Sequence, residues 1–246
     1  MTGAVRTLFS GLPRQGPGSD ACTRAALRRL PPLPQQPRIL DLGCGTGRQT
    51  LVLAESLPGA RIVAVDIHRP YLDELAANAR ARGVADRIEP READMAALDL
   101  PPDSFDLIWS EGAIYIVGFA RGLALCRPWL RTGGFVAVTE CSWLVDERPD
   151  AAVRFWSEAY PDMAGIKENM QRARDAGFKV LDTFVLPVTA WWAEYYDPLQ
   201  ARIAAIKDAA DDALRREIAT VEREIDIFRR DGDSFGYVFY LMRRAY

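Results

Sequence analysis

The sequence predicts an α/β domain built on a largely parallel sheet. Between residues 38 and 140, short apolar segments alternate with amphipathic helical segments, which is typical of βα units. A glycine-rich turn follows the first of these apolar segments. The chain has 246 residues, of which 49% are hydrophobic and 26% are charged, so it can bury the core that such a domain needs.

Residues 1–37 are expected to form an N-terminal arm or lid ahead of this domain. The first 19 residues are predicted to be loop-like, because RQGPGS concentrates glycine and proline. Ser19 or Asp20 can cap a short helix that reaches about Leu30. The stretch PPLPQQP that follows favours an extended connector.

The main domain is expected to cover residues 38–246 and to begin with five βα units. Strands are predicted at RILDLG (38–43), RIVAVD (61–66), RIEPREAD (87–94), FDLIWS (105–110) and FVAVTE (135–140). Helices are predicted between them, over about 47–57, about 70–82, and after residue 110 to about Trp129.

The pattern changes after Glu140. Helices are predicted near 150–160 and 163–175, and a strand over 178–188. Apolar residues then recur at steps of three or four over 199–228, which predicts one amphipathic helix of about thirty residues. FGYVFYLM is predicted as the closing strand.

The glycine-rich turn carries the strongest functional signal. Gly43, Gly45 and Gly47 lie between a predicted strand and a predicted helix, where missing Cβ atoms let a ligand approach the backbone. The dinucleotide fingerprint G-x-G-x-x-G would need glycine where this chain has Arg48. The spacing therefore favours another adenosine ligand, although a plain tight turn would also explain the glycines alone.

Acidic residues stand at three successive strand ends: Asp41, Asp66 and Asp94. A carboxylate at Asp66 can accept both hydroxyls of a ribose, or it can cap the following helix. Asp94 can accept the exocyclic amine of adenine, with Met95 or Ile67 as an apolar face for the ring. Together the three acids indicate a nucleoside site at the carboxyl edge of the sheet.

The order and spacing of five motifs resemble the class I S-adenosylmethionine-dependent methyltransferases, in the branch called methyltransferase type 11. The motifs are LDLGCGTG (40–47), IVAVDI (62–67), EADMAAL (92–98), FDLIWSEGAIY (105–115) and LRTGGFVAVTE (130–140). The resemblance covers about 38–142 and implies a Rossmann-like seven-stranded sheet with helices on both faces. Strands six and seven would form an antiparallel pair, here with a helical insertion at about 189–231 between them.

The resemblance also implies roles for individual residues. Asp41 would lie near the methionine amine of the cofactor, and Ser110 and Glu111 would line the methyl-donor pocket. The remaining cofactor-binding residues would border its methionine, ribose and adenine portions: Gly43, Cys44, Gly45, Gly47, Asp66, Ile67, Asp94 and Met95. Residues 1–37 and 143–231 would shape the acceptor pocket.

Three side chains are candidates for the base that some acceptors require. Glu111 comes first, since it ends a predicted strand beside Gly112; a hydrogen bond to the cofactor is an equal alternative. Tyr115 can orient the acceptor or pack within the domain. His68 is expected to contact the cofactor or solvent, and as the single histidine it cannot build a zinc site, so no metal is expected.

Two further features have both a functional and a structural interpretation. The aromatic run WWAEYY (191–196) can roof an active site or pack the insertion on the sheet. Arg14 can meet a carboxylate of cofactor or substrate, or remain solvated.

The expected function is methyl transfer from S-adenosylmethionine to a small-molecule acceptor, with release of S-adenosylhomocysteine. A dinucleotide-dependent oxidoreductase and an S-adenosylmethionine-binding protein without turnover are the alternatives. The net charge of −3 disfavours nucleic acid as a partner. The chain has no apolar run of roughly 20 residues and its four cysteines are scattered, so a cytoplasmic protein without membrane contact is expected. The 199–228 stripe leaves a homodimer interface open.

Overall fold

The computed structural model describes residues 3–245, and within them one sheet of eight strands. The strands are β1 (Arg38–Leu42), β2 (Arg61–Asp66), β3 (Ile88–Glu92), β4 (Phe105–Ser110), β5 (Leu130–Trp143), β6 (Ala164–Gly165), β7 (Phe178–Val185) and β8 (Phe235–Arg244). The helices are α1 (Gly3–Phe9), α2 (Asp20–Arg29), α3 (Arg48–Ser56), α4 (Arg69–Ala81), α5 (Phe119–Trp129), α6 (Asp150–Ala159), α7 (Ile166–Asp175), α8 (Thr189–Trp191), α9 (Asp197–Ile206) and α10 (Asp212–Asp231).

The sheet has the predicted Rossmann-like topology. Its main path runs β3-β2-β1-β4-β5-β8-β7, with β1 to β5 parallel to one another. β8 is antiparallel to both β5 and β7. The predicted seven strands with a final antiparallel pair are therefore confirmed, and β6 is a two-residue addition beside β5.

Helices cover both faces of the sheet because strand residues alternate in direction. Ile39 and Leu107 face a core built with α2, α3 and α4. Leu40 and Ile108 face the opposite core, built with α5 and α7. The βα units thus place the carboxyl ends of β1 to β4 along one edge, with helices above and below.

The insertion between β7 and β8 forms a third apolar cluster, together with α1, α6 and part of β5. The prediction of one helix over 199–228 is wrong, because a 3-10 turn at Lys207–Ala209 separates α9 from α10. Asp211 caps the second helix by accepting a hydrogen bond from the Leu214 amide at 2.8 Å. Both helices bury their apolar stripes in the same cluster, so the spacing alone does not show the break.

The N-terminal arm is packed against the rest of the chain. The prediction that the first 19 residues are loop-like is wrong for α1, whose Leu8 is fully buried against the insertion. The predicted second helix is present as α2, and Ser19 caps it by accepting from the Cys22 amide at 3.1 Å. Cys22 and Ala26 belong to the main core. No helix within residues 3–245 is both long and apolar enough to cross a bilayer.

Candidate active site

A cavity of about 300 Å³ lies at the carboxyl ends of β1, β2, β3 and β4. This is the edge at which open α/β sheets bind their ligands. Its wall combines the loop after β1, the ends of β2 and β3, the segment after β4 and part of the N-terminal arm. The lining includes 43–46, 65–68, 93–95, 111–113 and 14–17.

Glycine is required in the loop after β1. Gly43 and Gly45 have positive φ values of 68° and 55°. A Cβ atom on Gly43 would lie 2.3 Å from the Cβ of Ala113, and one on Gly45 would lie 2.8 Å from Oε1 of Gln15. The loop therefore passes too close to its neighbours for a side chain, and with Cys44 it exposes backbone to the cavity.

Asp66 is held at the cavity wall by two backbone amides. Its Oδ2 accepts from the Gly45 amide at 2.9 Å and its Oδ1 accepts from the His68 amide at 2.9 Å. Each carboxylate oxygen can accept a second hydrogen bond, so a pair of ligand hydroxyls can still bind. This arrangement fits a ribose, so the geometry of Asp66 is compatible with the expected cofactor.

The end of β3 and the residue after Asp66 complete a nucleoside-sized slot. Asp94 lines the cavity, and its Oδ1 accepts from the Ala96 amide at 2.8 Å. Met95 and Ile67 supply apolar surface beside it, and Ile67 is 56% exposed although it is a large aliphatic residue. An acceptor flanked by apolar side chains suits the edge and faces of a purine ring.

Three of the predicted cofactor-binding residues do not line the cavity. Asp41 is fully buried below the loop, where its Oδ2 accepts from the Thr50 hydroxyl at 2.5 Å and burial raises its pKa to about 7. Ser110 is fully buried and donates to the Leu42 carbonyl at 2.9 Å. Gly47 caps α3, and a Cβ there would meet Leu75. These residues hold the loop in place.

Glu111 lines the cavity and accepts hydrogen bonds from three protein groups. Oε1 accepts from the Thr23 hydroxyl at 2.7 Å and from the Trp109 indole at 2.8 Å, and Oε2 accepts from Arg14 at 3.3 Å. Oε2 can accept one more hydrogen bond, as the Asp66 oxygens can, so the role of Glu111 as a base stays a prediction. Its three protein partners also give it a positioning role between the arm and β4.

The N-terminal arm contributes Gln15, which the sequence analysis did not single out, and Arg14, which it did. Gln15 Oε1 lies 3.4 Å from both the amide and the hydroxyl of Thr46. Arg14, expected to meet a carboxylate of a ligand, instead pairs with Glu111 and Asp20 of the protein. The glycine- and proline-rich sequence of the arm predicted a loop, and no sequence signal showed which surface that loop would cover.

Two other candidates, Tyr115 and His68, do reach the cavity wall. Tyr115 is 42% exposed and packs edge-to-face on Tyr160, with ring centroids 5.7 Å apart. The His68 ring packs on Tyr71 at 5.5 Å. Tyr115 follows β4 in the chain, whereas Asp94 follows β3.

The aromatic run of the insertion is mostly packing. Trp191 is 2% exposed and stacks on Phe228 with ring centroids 4.3 Å apart. Tyr195 and Tyr196 are also buried in the same cluster. These rings fix the insertion against β8 and α1.

Comparisons with known proteins agree with this geometry. A family described as a methyltransferase domain matches residues 39–134. The chain is 28% identical to trans-aconitate 2-methyltransferase of Paracidovorax citrulli over 92% of this chain and 95% of that protein. It superposes with a TM-score of 0.81 on a SAM-dependent methyltransferase from Geobacter sulfurreducens in complex with S-adenosylhomocysteine, at 20% identity and 98% coverage of both chains.

These matches support a class I S-adenosylmethionine-dependent methyltransferase. The expected enzyme class and cofactor are thereby confirmed, and the dinucleotide-dependent oxidoreductase is not supported. Demethylmenaquinone methyltransferase of Thermus thermophilus is 44% identical, but over 42% of this chain and 46% of that protein. This chain also covers less than half of the length of several further curated relatives.

Proposed function

We propose that this methyltransferase acts on a small-molecule acceptor and releases S-adenosylhomocysteine. The observation that carries the proposal is the salt bridge between Arg14 and Glu111, which holds the N-terminal arm against the cavity. The arm is also tied to the insertion, since the Gly18 amide donates to the Ala190 carbonyl at 3.1 Å. The arm narrows the access of an acceptor to the cavity, which favours a small molecule over a macromolecule.

Within this proposal the residues of the cavity have separate tasks. Asp66 accepts the ribose hydroxyls, and Asp94 with Met95 and Ile67 holds the adenine. The bound cofactor supplies a methyl group on a sulfonium, which is already activated for transfer. The protein therefore has to align the acceptor, and orientation of this kind contributes effective molarities of roughly 10⁵ M or more.

The proposal is tested by following a labelled methyl group. Purified enzyme with methyl-tritiated S-adenosylmethionine is incubated with a cell extract divided by ultrafiltration into small molecules and macromolecules. Label is expected in the small-molecule fraction, above a control without enzyme. Label found in protein or nucleic acid alone would contradict the proposal.

A further inference from the structure

Large apolar side chains remain exposed at the cofactor cavity. Within residues 3–245, seven large apolar residues are exposed, and three of them line this one cavity: Ile67, Tyr115 and Ile116. Ile116 has the highest exposure of the seven, 61%. Single apolar residues scattered over a surface need no explanation, but a group of them in one cavity indicates a ligand that removes them from water.

The position of Tyr115 and Ile116 along the sheet separates them from the nucleoside. Ile67 follows β2 and serves the adenine in the proposed function, together with Asp94 after β3. Tyr115 and Ile116 instead follow β4, and β1 lies between β4 and β2 in the sheet. The Tyr115 ring packs on Tyr160, which precedes the β6 strand beside β5. The two residues therefore lie toward β5, and a nucleoside at the ends of β2 and β3 leaves them uncovered.

The charged side chains of the neighbouring cavity wall are paired with one another. Arg14 bonds to Asp20 at 3.1 Å and to Glu111 at 3.3 Å, and Arg48 bonds to Asp20 at 3.1 Å. The side chains of Arg14 and Glu111 are only 5% and 3% exposed. Two cations and two anions thus balance within one network, which leaves no net charge to complement an ionic ligand.

The other residues that the arm and the segment after β4 contribute to the wall are uncharged: Gln15, Gly16, Pro17, Gly112 and Ala113. Gln15 is engaged with the protein, since its Nε2 donates to the Leu12 carbonyl at 3.2 Å. A Cβ atom built on Gly16 would have no atom within 4 Å, so the arm is not tightly packed at this point. Oε2 of Glu111 can accept one more hydrogen bond and provides a polar anchor beside this surface.

We propose that the methyl acceptor is an uncharged molecule with an apolar body that binds against Tyr115 and Ile116; this rests on the proposed function. A carboxylate, phosphate or ammonium group placed there would lose its water without gaining an unpaired charge of opposite sign. An apolar body instead covers the exposed surface of Ile116 and the Tyr115 ring. A hydroxyl group on it can donate to the open lone pair of Glu111.

The test compares three probes that share one ring and differ in charge at pH 7: benzyl alcohol, benzylamine and benzoate. Ligand-observed NMR measures their affinities for the full-length protein saturated with S-adenosylhomocysteine. Benzyl alcohol is expected to bind about tenfold or more tightly than either charged probe, a difference of about 1.4 kcal/mol.

A pair of variants locates the binding surface. Ile116→Lys places a cation on it and is expected to weaken benzyl alcohol and to abolish its preference over benzoate. Val153→Lys is the matched control, because Val153 is also an exposed aliphatic residue but lies on α6 outside the cavity lining. This control is expected to keep the full preference. Calorimetry with S-adenosylhomocysteine on the same samples establishes that each variant is folded and saturated.

Each other outcome overturns the proposal. In the unmodified protein, absence of benzyl alcohol binding, or equal or tighter binding of a charged probe, does so without dependence on a variant. A preference that survives Ile116→Lys excludes this surface as the acceptor site. Failure of the proposed function is distinguishable, because label found only in macromolecules concerns turnover, whereas the probe affinities are measured without turnover.

Discussion

At the scale of single residues, Asp66 illustrates how a strand end becomes a ligand site. Two amides fix its carboxylate at 2.9 Å each, so the oxygens are oriented before a ligand arrives. A side chain fixed in this way loses little entropy on binding. We therefore regard Asp66 as the main determinant of cofactor affinity.

Asp66→Ala is expected to weaken binding of S-adenosylhomocysteine at least about tenfold, or about 1.4 kcal/mol. The variant removes the proposed acceptor of the ribose hydroxyls and also the hydrogen-bond acceptor of the Gly45 amide. Isothermal titration calorimetry measures the effect. Asp73→Asn, an exposed residue of α4, is the control and should bind normally. Unchanged affinity of the Asp66 variant would remove this carboxylate from the site.

Glu111→Gln is expected to weaken the attachment of the N-terminal arm rather than to act directly on methyl transfer. Glutamine is uncharged and has one acceptor oxygen instead of two, so Arg14 would lose one of its two acidic partners. Losing one partner of a buried ion pair costs about 2–4 kcal/mol, measured here by urea unfolding. Exposed Glu92→Gln should have no such effect. Normal stability together with lost turnover would instead support Glu111 as the general base.

At the scale of elements, the arm and the insertion are one packing unit. α1 joins the apolar cluster of α9 and α10, and α2 joins the main core. The arm therefore contributes to the stability of the whole chain.

Leu8→Ala is expected to lower the free energy of unfolding by about 2–5 kcal/mol, because Leu8 is fully buried where α1 meets the insertion. Denaturant unfolding followed by tryptophan fluorescence measures this. Val153→Ala, on the exposed part of α6, should change stability little. An unchanged midpoint for the Leu8 variant would show that α1 is detached from the insertion in solution.

The sequence predicted helices and strands well where the spacing of apolar residues agrees with the glycine and proline residues that mark the ends of elements. RIVAVD became β2 over the predicted residues, and α4 starts at Arg69 with proline in its first turn, as expected. The short α1 was missed because GAVRTLF is followed by a glycine- and proline-rich stretch, and because its stability depends on distant packing. The break after α9 was missed for the same reason: both halves share one apolar cluster.

At the scale of the whole molecule, three acids have their pKa values raised by burial and form no salt bridge within residues 3–245. Burial raises the pKa of Asp41 to about 7, of Glu140 to about 8 and of Glu224 to about 7. Their pKa values in an unfolded chain are about 4. The folded state therefore binds more protons than the unfolded state between these limits, and stability falls as pH rises through that window.

The melting temperature is accordingly expected to be higher at pH 5.5 than at pH 8. Each of the three groups contributes at most about 1.4 kcal/mol per pH unit within its window. Glu140→Gln should flatten the dependence, and exposed Glu147→Gln should not. Thermal unfolding at constant ionic strength measures it. A melting temperature that rises from pH 5.5 to pH 8 would contradict the inferred protonation of these groups.

The part of the cavity wall that strand ends supply was predictable, and the part that the N-terminal arm supplies was not. Asp66, Asp94 and Met95 follow strands whose ends must meet at one edge of a parallel sheet, so local sequence places them together. Arg14 and Gln15 come from an arm whose position depends on long-range packing, and no local pattern shows which surface they cover.

The placement of β8 between β5 and β7 has a consequence for biosynthesis. β5 is complete at residue 143, but its antiparallel neighbour begins at Phe235, after the whole insertion has been translated. Until then the nascent polypeptide on the ribosome exposes the edges of β5 and β7 that will pair with β8. Such unpaired edges are shielded by chaperones and can start misassembly.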